Sequence, residues 1–228
     1  MARGINMKDF DVKKIVAEAG ADLCGIAPVE RFDASPAGFH PKDYLPGCRT
    51  VIVLVCKFPH DAIEADPDTY TAVRNAVAAR IDEIAEKVAG KLKEAGVNAR
   101  PIKSLDVTLD KDRYRGPVSL KHAAVMAGLG KIGKNTLLIN DSLGSMLWLS
   151  AVLTDAVLPH DPIASYEPCP DGCRLCVEKC PAGALGSEMM NQRACLNHAF
   201  ARQQDGKLSI RCWECRKVCP RHFGLASN

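Results

Sequence analysis

Eleven cysteines stand in this 228-residue chain. Eight of them fall in two runs and the stretch that joins them. The first run is Cys169-Pro-Asp-Gly-Cys173-Arg-Leu-Cys176-Val-Glu-Lys-Cys180-Pro181. The second is Cys212-Trp-Glu-Cys215-Arg-Lys-Val-Cys219-Pro220, and Cys195 lies between them. Each run closes as C-x2-C-x3-C-P. In that motif the cysteines ahead of the last one share one iron–sulfur cube, and the cysteine before proline reaches across to the other. The rule divides the eight into two sets. Cys169, Cys173, Cys176 and Cys219 would hold one 4Fe–4S cluster, and Cys180, Cys195, Cys212 and Cys215 the other. Soft sulfur suits iron, and the crossed fourth ligand ties together the two halves of a loop-rich segment.

Zinc ribbons also use C-x2-C pairs. Two crossed runs that each end in Cys-Pro are not a zinc habit, so two 4Fe–4S clusters are the expectation. A disulfide framework fits less well, because the chain is long, its cysteine count is odd and no export signal is visible. One spacing departs from the rule: three residues, not two, separate Cys169 from Cys173. The insertion Pro170-Asp171-Gly172 is turn-forming and can absorb the extra residue. It can also leave Cys169 a poor ligand.

Composition sets the frame around these cysteines. Hydrophobic residues make up 47% and charged residues 25%, which fits a globular protein with a real core. No apolar stretch reaches membrane-spanning length, so no membrane partner is expected. Residues 1–10 turn acidic and lack an apolar leader core, so export is not expected and a reducing cytoplasm is. The net charge is +3, which is small for a nucleic-acid binder. All of it comes from residues 163–228, where nine Lys and Arg stand against six Asp and Glu. Arg174, Lys179, Arg211, Arg216, Lys217 and Arg221 lie near the cysteines and would offset the negative charge of thiolate-bound clusters.

The elements that must position the cysteines follow from periodicity. Residues 11–19 read as an amphipathic helix stopped by Gly20. Residues 21–27 read as a short buried strand, and residues 31–49 as a Pro/Gly-rich loop. Residues 50–57 are a continuous apolar, β-branched run that suits a central strand buried on both faces. Residues 69–94 form the longest expected helix, with Val73, Val77, Ile81, Ile84, Val88 and Leu92 on one face. Residues 97–103 read as an edge strand because Pro101 lies within them. Residues 104–116 read as a polar loop and residues 118–126 as a shorter helix. Two strands, 136–139 and 146–154, are joined by 140–144. The organisation is a mixed α/β cofactor-binding domain over 1–162 and a two-cluster domain over 163–228. The remaining Cys24, Cys48 and Cys56 are read as structural thiols.

Gly128-Leu-Gly130-Lys-Ile-Gly133 matches G-x-G-x-x-G. A dinucleotide site needs a strand before the first glycine and a helix after it. Here a helix precedes and a strand follows, so a nicotinamide site is rejected. Gly128, Gly130 and Gly133 would still let a ligand approach the backbone, with Lys134 and Asn135 adding a cation and an amide. The bland alternative is a tight helix-to-strand connection.

At this point the sequence resembles a known family. Pro117-Val118, the segment Ala127-Gly-Leu-Gly-Lys-Ile-Gly-Lys-Asn-Thr-Leu-Leu-Ile139, Gly144-Ser145, Leu153-Thr-Asp155 and the cysteine runs together resemble epoxyqueuosine reductase. Leu45-Pro-Gly-Cys-Arg-Thr-Val-Ile-Val53 fits the same family. The resemblance implies an α/β (α+β) nitroreductase-like domain followed by a ferredoxin-like domain with two 4Fe–4S clusters. It implies kinship with reductive dehalogenases and cobalamin held between the domains. The family's catalytic Asp aligns with Tyr114, which makes that phenol the candidate proton donor. The family's Trp in the glycine segment is Lys131 here. The sequence ends nine residues after Cys219, so the family's helical-repeat extension, and with it a tRNA partner, is not expected.

Two functions fit. One is a reductase in which electrons from a donor protein or reductant cross both clusters to a cofactor near 128–135. The substrate would then be a small molecule or a corrinoid. The other is a ferredoxin-like carrier that docks or reactivates a corrinoid protein.

Overall fold

The computed structural model describes residues 11–110, 113–186, 190–203 and 206–226. The expectation that residues 1–10 carry no leader lies outside the described residues.

Local signals start and stop the first elements. Helix α1 (Val12–Ala19) begins where the Asp11 carboxylate accepts the Lys14 N–H, and ends at Gly20 with φ of 102°. Strand β1 (Leu23–Pro28) follows. The loop expected over 31–49 contains one short helix, α2 (Pro41–Tyr44), capped by His40 and Asp43. Strand β2 (Thr50–Lys57) occupies the expected span. Helix α3 (Pro67–Glu94) starts earlier than expected, because Pro67 takes its first position and Asp66 caps the N–H groups of Asp68 and Thr69.

Strand β3 (Ala99–Ile102) leads into a segment where the expectation needs correction. Residues 104–116 are not all loop. A small hairpin, β4 (Thr108–Asp110) and β5 (Arg113–Arg115), interrupts them. Its alternation is too short to stand out among the polar residues. Helix α4 (Leu120–Met126) comes next, followed by β6 (Lys131–Ile132), β7 (Leu138–Ile139) and β8 (Leu147–Thr154). The two expected strands joined by 140–144 do not pair with each other. Instead β7 turns back on β6. The Asn140 side chain accepts the Ser142 and Leu143 N–H groups and donates to the Leu129 carbonyl, so it folds its own turn. Strand β8 then leaves for the main sheet. The cysteine segment carries α5 (Leu175–Glu178), α6 (Gln192–Ala199), β9 (Phe200–Arg202), β10 (Leu208–Ile210) and α7 (Glu214–Lys217).

The main sheet has the order β1-β2-β8-β3, and every neighbouring pair is antiparallel. Strand β3, which carries Pro101, takes one edge. The period of two along β2 sends alternate side chains to two cores. Val51, Val53 and Val55 pack toward α4. Ile52, Leu54 and Cys56 pack against α1 and α3, where Ile81, Ile84, Val88 and Leu92 meet them. A helix layer on each face explains why β2 reads as continuous apolar sequence even though the sheet is antiparallel. Among the described residues no helix is long and apolar enough to cross a membrane.

Two outcomes are expected from this packing. Leu54→Ala should cost about 2–5 kcal/mol in a denaturant titration, because the site is fully enclosed and cannot collapse freely. Cys24, Cys48 and Cys56 should resist iodoacetamide at pH 8 in the folded chain. Burial raises all three thiols, and Cys24 to about 12. Mass spectrometry of alkylated peptides checks this, with full labelling restored in denaturant.

Candidate functional site

The two cysteine runs fold alike. Each places its middle cysteine on a one-turn helix, Cys176 on α5 and Cys215 on α7. The residues before these helices share one backbone conformation, φ −134° and ψ 13° at Arg174 against φ −140° and ψ 26° at Trp213. Helices α5 and α7 pack against each other. Two groups of thiols result. Cys219 lies within electrostatic reach of Cys169, Cys173 and Cys176. Cys195, on α6, lies within reach of Cys180 and Cys212, and Cys215 within reach of Cys195 and Cys212. Cys215 also senses Cys176, so the two groups are neighbours.

The donor set of each group is four thiols, the soft set that suits an iron–sulfur cube. Burial pushes the Cys215 thiol up to about 12, more than the adjacent Arg216 cation lowers it, and it raises Cys176, Cys195 and Cys219 as well. Metal ligation at these thiols would therefore have to expel their protons. Among the described residues no three His, Cys, Asp or Glu side chains are drawn together tightly enough to hold a single ion.

The extra residue before Cys173 is absorbed in a turn. The Cys173 N–H donates to the Pro170 carbonyl at 3.1 Å, and Gly172 takes φ of 67°. Cys169 is thereby kept with its group, and its Sγ accepts the Lys134 N–H at 3.4 Å. The Cys180 Sγ accepts the Ala184 N–H at 3.3 Å.

The glycine segment meets this cysteine segment directly. Lys134 Nζ donates to the Cys173 carbonyl at 2.7 Å, and Asn135 Nδ2 donates to the Cys215 carbonyl at 3.2 Å. These two side chains clamp one cysteine run each. The glycines serve the same contact. A Cβ at Gly128 would strike the Pro162 carbonyl, and one at Gly130 the Ile139 carbonyl. A Cβ at Gly133 would crowd Asn135 and Ile139 beside Cys169. The close approach expected of a ligand is made at all three by the protein itself. Part of the segment is also strand, not loop, since Lys131 and Ile132 pair with β7.

Aromatic side chains complete the docking. Trp213 stacks on Tyr70 of α3 at 4.0 Å, with the rings 4° from parallel, and its indole N–H donates to the Ile63 carbonyl at 2.9 Å. Such a pair contributes about 0.5–1.5 kcal/mol beyond area burial. The Ile210 N–H donates to Thr71 Oγ1 at 2.9 Å. At the far end, the Ser145 and Met146 N–H groups donate to the His222 carbonyl. Gly144, at φ of 57°, leaves room for the carbonyls of Arg221 and His222. Tyr114 is elsewhere. It sits on β5 with 48% of its surface exposed, and its backbone bonds to Gln192 of α6.

A cavity of about 200 Å³ lies where α4, β7 and β8 face α7. Leucines and Trp148 form most of its wall; Lys121, Arg216 and Ser145 are its notable polar groups. Tyr114 and the glycines are not among its lining residues. Lys121 Nζ donates to the Thr136 carbonyl at 2.6 Å. Thr136 holds a left-handed backbone, φ 60°, which is unusual for a β-branched residue. Burial lowers the Lys121 ammonium below its ordinary value, and the thiols of Cys215 and Cys195 partly restore it. Arg216 is 7% exposed and Ser145 1%. Arg216 Nη1 and Ser145 Oγ have no hydrogen-bond partner among the described residues. The guanidinium lies 5.2 Å from the Phe58 ring. A desolvated cation–π contact returns about 2 kcal/mol, whereas an uncompensated buried ion costs several. The contact alone does not offset that cost, and thiolate ligation at the adjacent Cys215 would bring the compensating negative charge.

Sequence reasoning missed this cavity. Arg216 was visible only as one of several basic residues near the cysteines, Ser145 only as part of the motif Gly144-Ser145, and Lys121 only as a polar position in an apolar stretch.

No family model matches the chain. The epoxyqueuosine reductase of Staphylococcus aureus is 29% identical over 200 residues, which cover 81% of this chain and 51% of that protein. The tetrachloroethene reductive dehalogenase of Dehalobacter restrictus is 30% identical over 183 residues, covering 78% of this chain and 30% of that protein. The chain spans about half the length of the first curated relatives it matches. Among solved structures, epoxyqueuosine reductase from Streptococcus thermophilus superposes with a TM-score of 0.64 at 20% identity, over 99% of this chain and 68% of that one. A reductive dehalogenase structure, reported with a mechanism for B12-dependent dehalogenation, superposes with a TM-score of 0.73 at 20% identity, over 96% of this chain and 33% of that one. With the paired cysteine runs and the glycine-lysine-asparagine clamp, these likenesses make the chain a member of the epoxyqueuosine reductase-like family, whose fold reductive dehalogenases share.

Proposed function

We propose that this chain is an iron–sulfur reductase. Residues 1–162 would act as a nitroreductase-like domain that receives the acceptor, and residues 163–228 as a ferredoxin-like domain that delivers electrons. The observation that carries this reading is the grouping of thiols from distant parts of the chain, Cys219 beside Cys169, Cys173 and Cys176. Cys180, Cys195, Cys212 and Cys215 form the second group, next to the cavity. Two 4Fe–4S clusters, when bound, supply one-electron transfer between a donor and the acceptor. The Lys134 and Ala184 N–H groups donate to ligand sulfurs, a lever that tunes reduction potential. Lys134 and Asn135 hold the two domains in register, so that the second group stays against the cavity wall.

Reduction of an organic acceptor consumes protons as well as electrons. Within the cavity, Lys121 Nζ and Ser145 Oγ carry exchangeable protons, whereas Tyr114 lines another surface. Tyr114 as proton donor therefore rests on its aligned position alone. Cobalamin has support from the relatives. The cavity does not fit it: about 200 Å³ lies below the ~300–1,000 Å³ typical of drug-sized ligands, and a corrinoid is larger still. We assign no step to it. The carrier reading has less support, because a carrier that only docks a partner needs no cavity with buried cations beside its cysteines.

Anaerobically purified protein should carry about eight irons per chain with matching acid-labile sulfide, and should bleach on reduction. Zinc in place of iron and sulfide would sink this proposal. Cys180→Ala and Cys219→Ala should each disturb both halves of the segment, read as loss of more than half the iron. Cys169→Ser should lower iron content or alter the magnetic signal of one cluster, since its Sγ sits with its group despite the longer spacing. Full iron and an unchanged signal would remove Cys169 from the ligand set.

A further inference from the structure

We propose that Lys121 of α4 and Arg216 of α7 together raise the reduction potential of the second cluster and make it the higher of the two. An electron that enters at the first cluster then comes to rest beside the cavity. The proposal deepens the reductase reading by naming the residues that give the transfer its direction, and it rests on that reading for the presence of two clusters.

Place and charge carry the argument. Arg216 follows Cys215 directly and is 7% exposed, and its Nη1 has no hydrogen-bond partner among the described residues. It is the strongest of the charges that act on Cys215. Lys121 comes from a distant part of the chain, yet it lines the same cavity and acts on Cys195. Its Nζ is held in place by the Thr136 carbonyl. Leu120, Leu137, Leu138 and Leu147 make up much of the wall around both cations, and apolar surroundings screen charge poorly.

The first group is served differently. Arg221 stands two residues after Cys219, and its Nε is buried without a partner among the described residues. The residue as a whole is partly exposed, however, and its Nη1 donates to the Leu225 carbonyl. Lys134 reaches the Cys173 carbonyl from an exposed position. Arg174, Lys179, Arg211 and Lys217 are exposed too, where water and salt screen them. N–H groups donate to sulfur in both groups, from Lys134 and Arg221 in the first and from Ala184 in the second. An N–H carries a partial charge, whereas Lys121 and Arg216 each carry a whole one. Glu214, the acid of the same turn as Arg216, is partly exposed. Each electron that a cluster accepts adds one negative charge to it, with no bond made or broken. Cations fixed beside it in apolar surroundings favour that reduced form, which raises the potential.

The test is a potentiometric titration of iron-replete protein with dithionite under anaerobic conditions, followed by electron paramagnetic resonance. Cys173→Ser removes or alters the signal of the first cluster and so assigns the two. In the natural chain the second cluster is expected to take the first electron. Lys121→Gln should move the electron-sharing equilibrium about tenfold toward the first cluster, which is about 59 mV for a one-electron couple. Lys121→Arg should restore it, because the charge returns. Arg216→Gln should move it in the same direction. Lys217→Gln, exposed on α7, should move it less than either. Arg216 adjoins Cys215, so iron is measured in every sample. If Arg216→Gln loses iron, Lys121→Gln decides, since Lys121 lies on α4 outside the cysteine segment. A first electron on the first cluster overturns the proposal. So does an unchanged equilibrium in Lys121→Gln with full iron, or a shift in Lys217→Gln as large as in Lys121→Gln. Two clusters with an unchanged equilibrium reject this inference alone, whereas a chain without two clusters rejects the reductase reading and this inference with it.

Discussion

The closeness of Cys219 to Cys169, Cys173 and Cys176 is the constraint on which the rest of the structure depends. Few of this segment's apolar side chains are fully buried, so burial within it cannot hold such distant positions together. The work is done by its contacts with the rest of the chain. Trp213 stacks on Tyr70, Ile210 reaches Thr71, and Lys134 and Asn135 grip the carbonyls of Cys173 and Cys215. The clamps fall on backbone atoms, so they fix the path of each run and leave the thiols free for metal.

The layered core explains how the clamps are presented. Strand β2 is enclosed on both faces, which makes the sheet a rigid centre. Helix α4 lies on one face, and its end feeds the glycine segment. Gly128 and Gly130 let that segment pass against the carbonyls of Pro162 and Ile139. Any side chain there would push the segment away from the cysteines. The helix–loop–strand order of the glycine segment is thus the order that delivers Lys134 and Asn135 to the cysteine runs.

The same interface creates the cavity. Where α7 meets β8, Arg216 is carried inward with its run and cannot escape to solvent. Lys121 arrives from the opposite layer. Two cations thus converge from distant parts of the chain, next to the thiols of Cys195 and Cys215.

The sequence by itself determined the long helix and the buried central strand, and it set the cysteine spacing that makes two groups of four the expectation. Each depends on spacing along the chain: C-x2-C-x3-C-P, a period of 3.6, or a run of β-branched residues. Tertiary structure alone decided the rest. The β4–β5 hairpin and the return of β7 onto β6 depend on partners that few residues announce. The glycines looked like a ligand's doorway, because a sequence cannot say whether the atom that needs the space belongs to a ligand or to Ile139. Lys121, Ser145 and Arg216 lie far apart in the chain, and nothing in their local pattern marks them as a group. They meet only because the fold brings them to the wall of a single cavity, which no local pattern can announce.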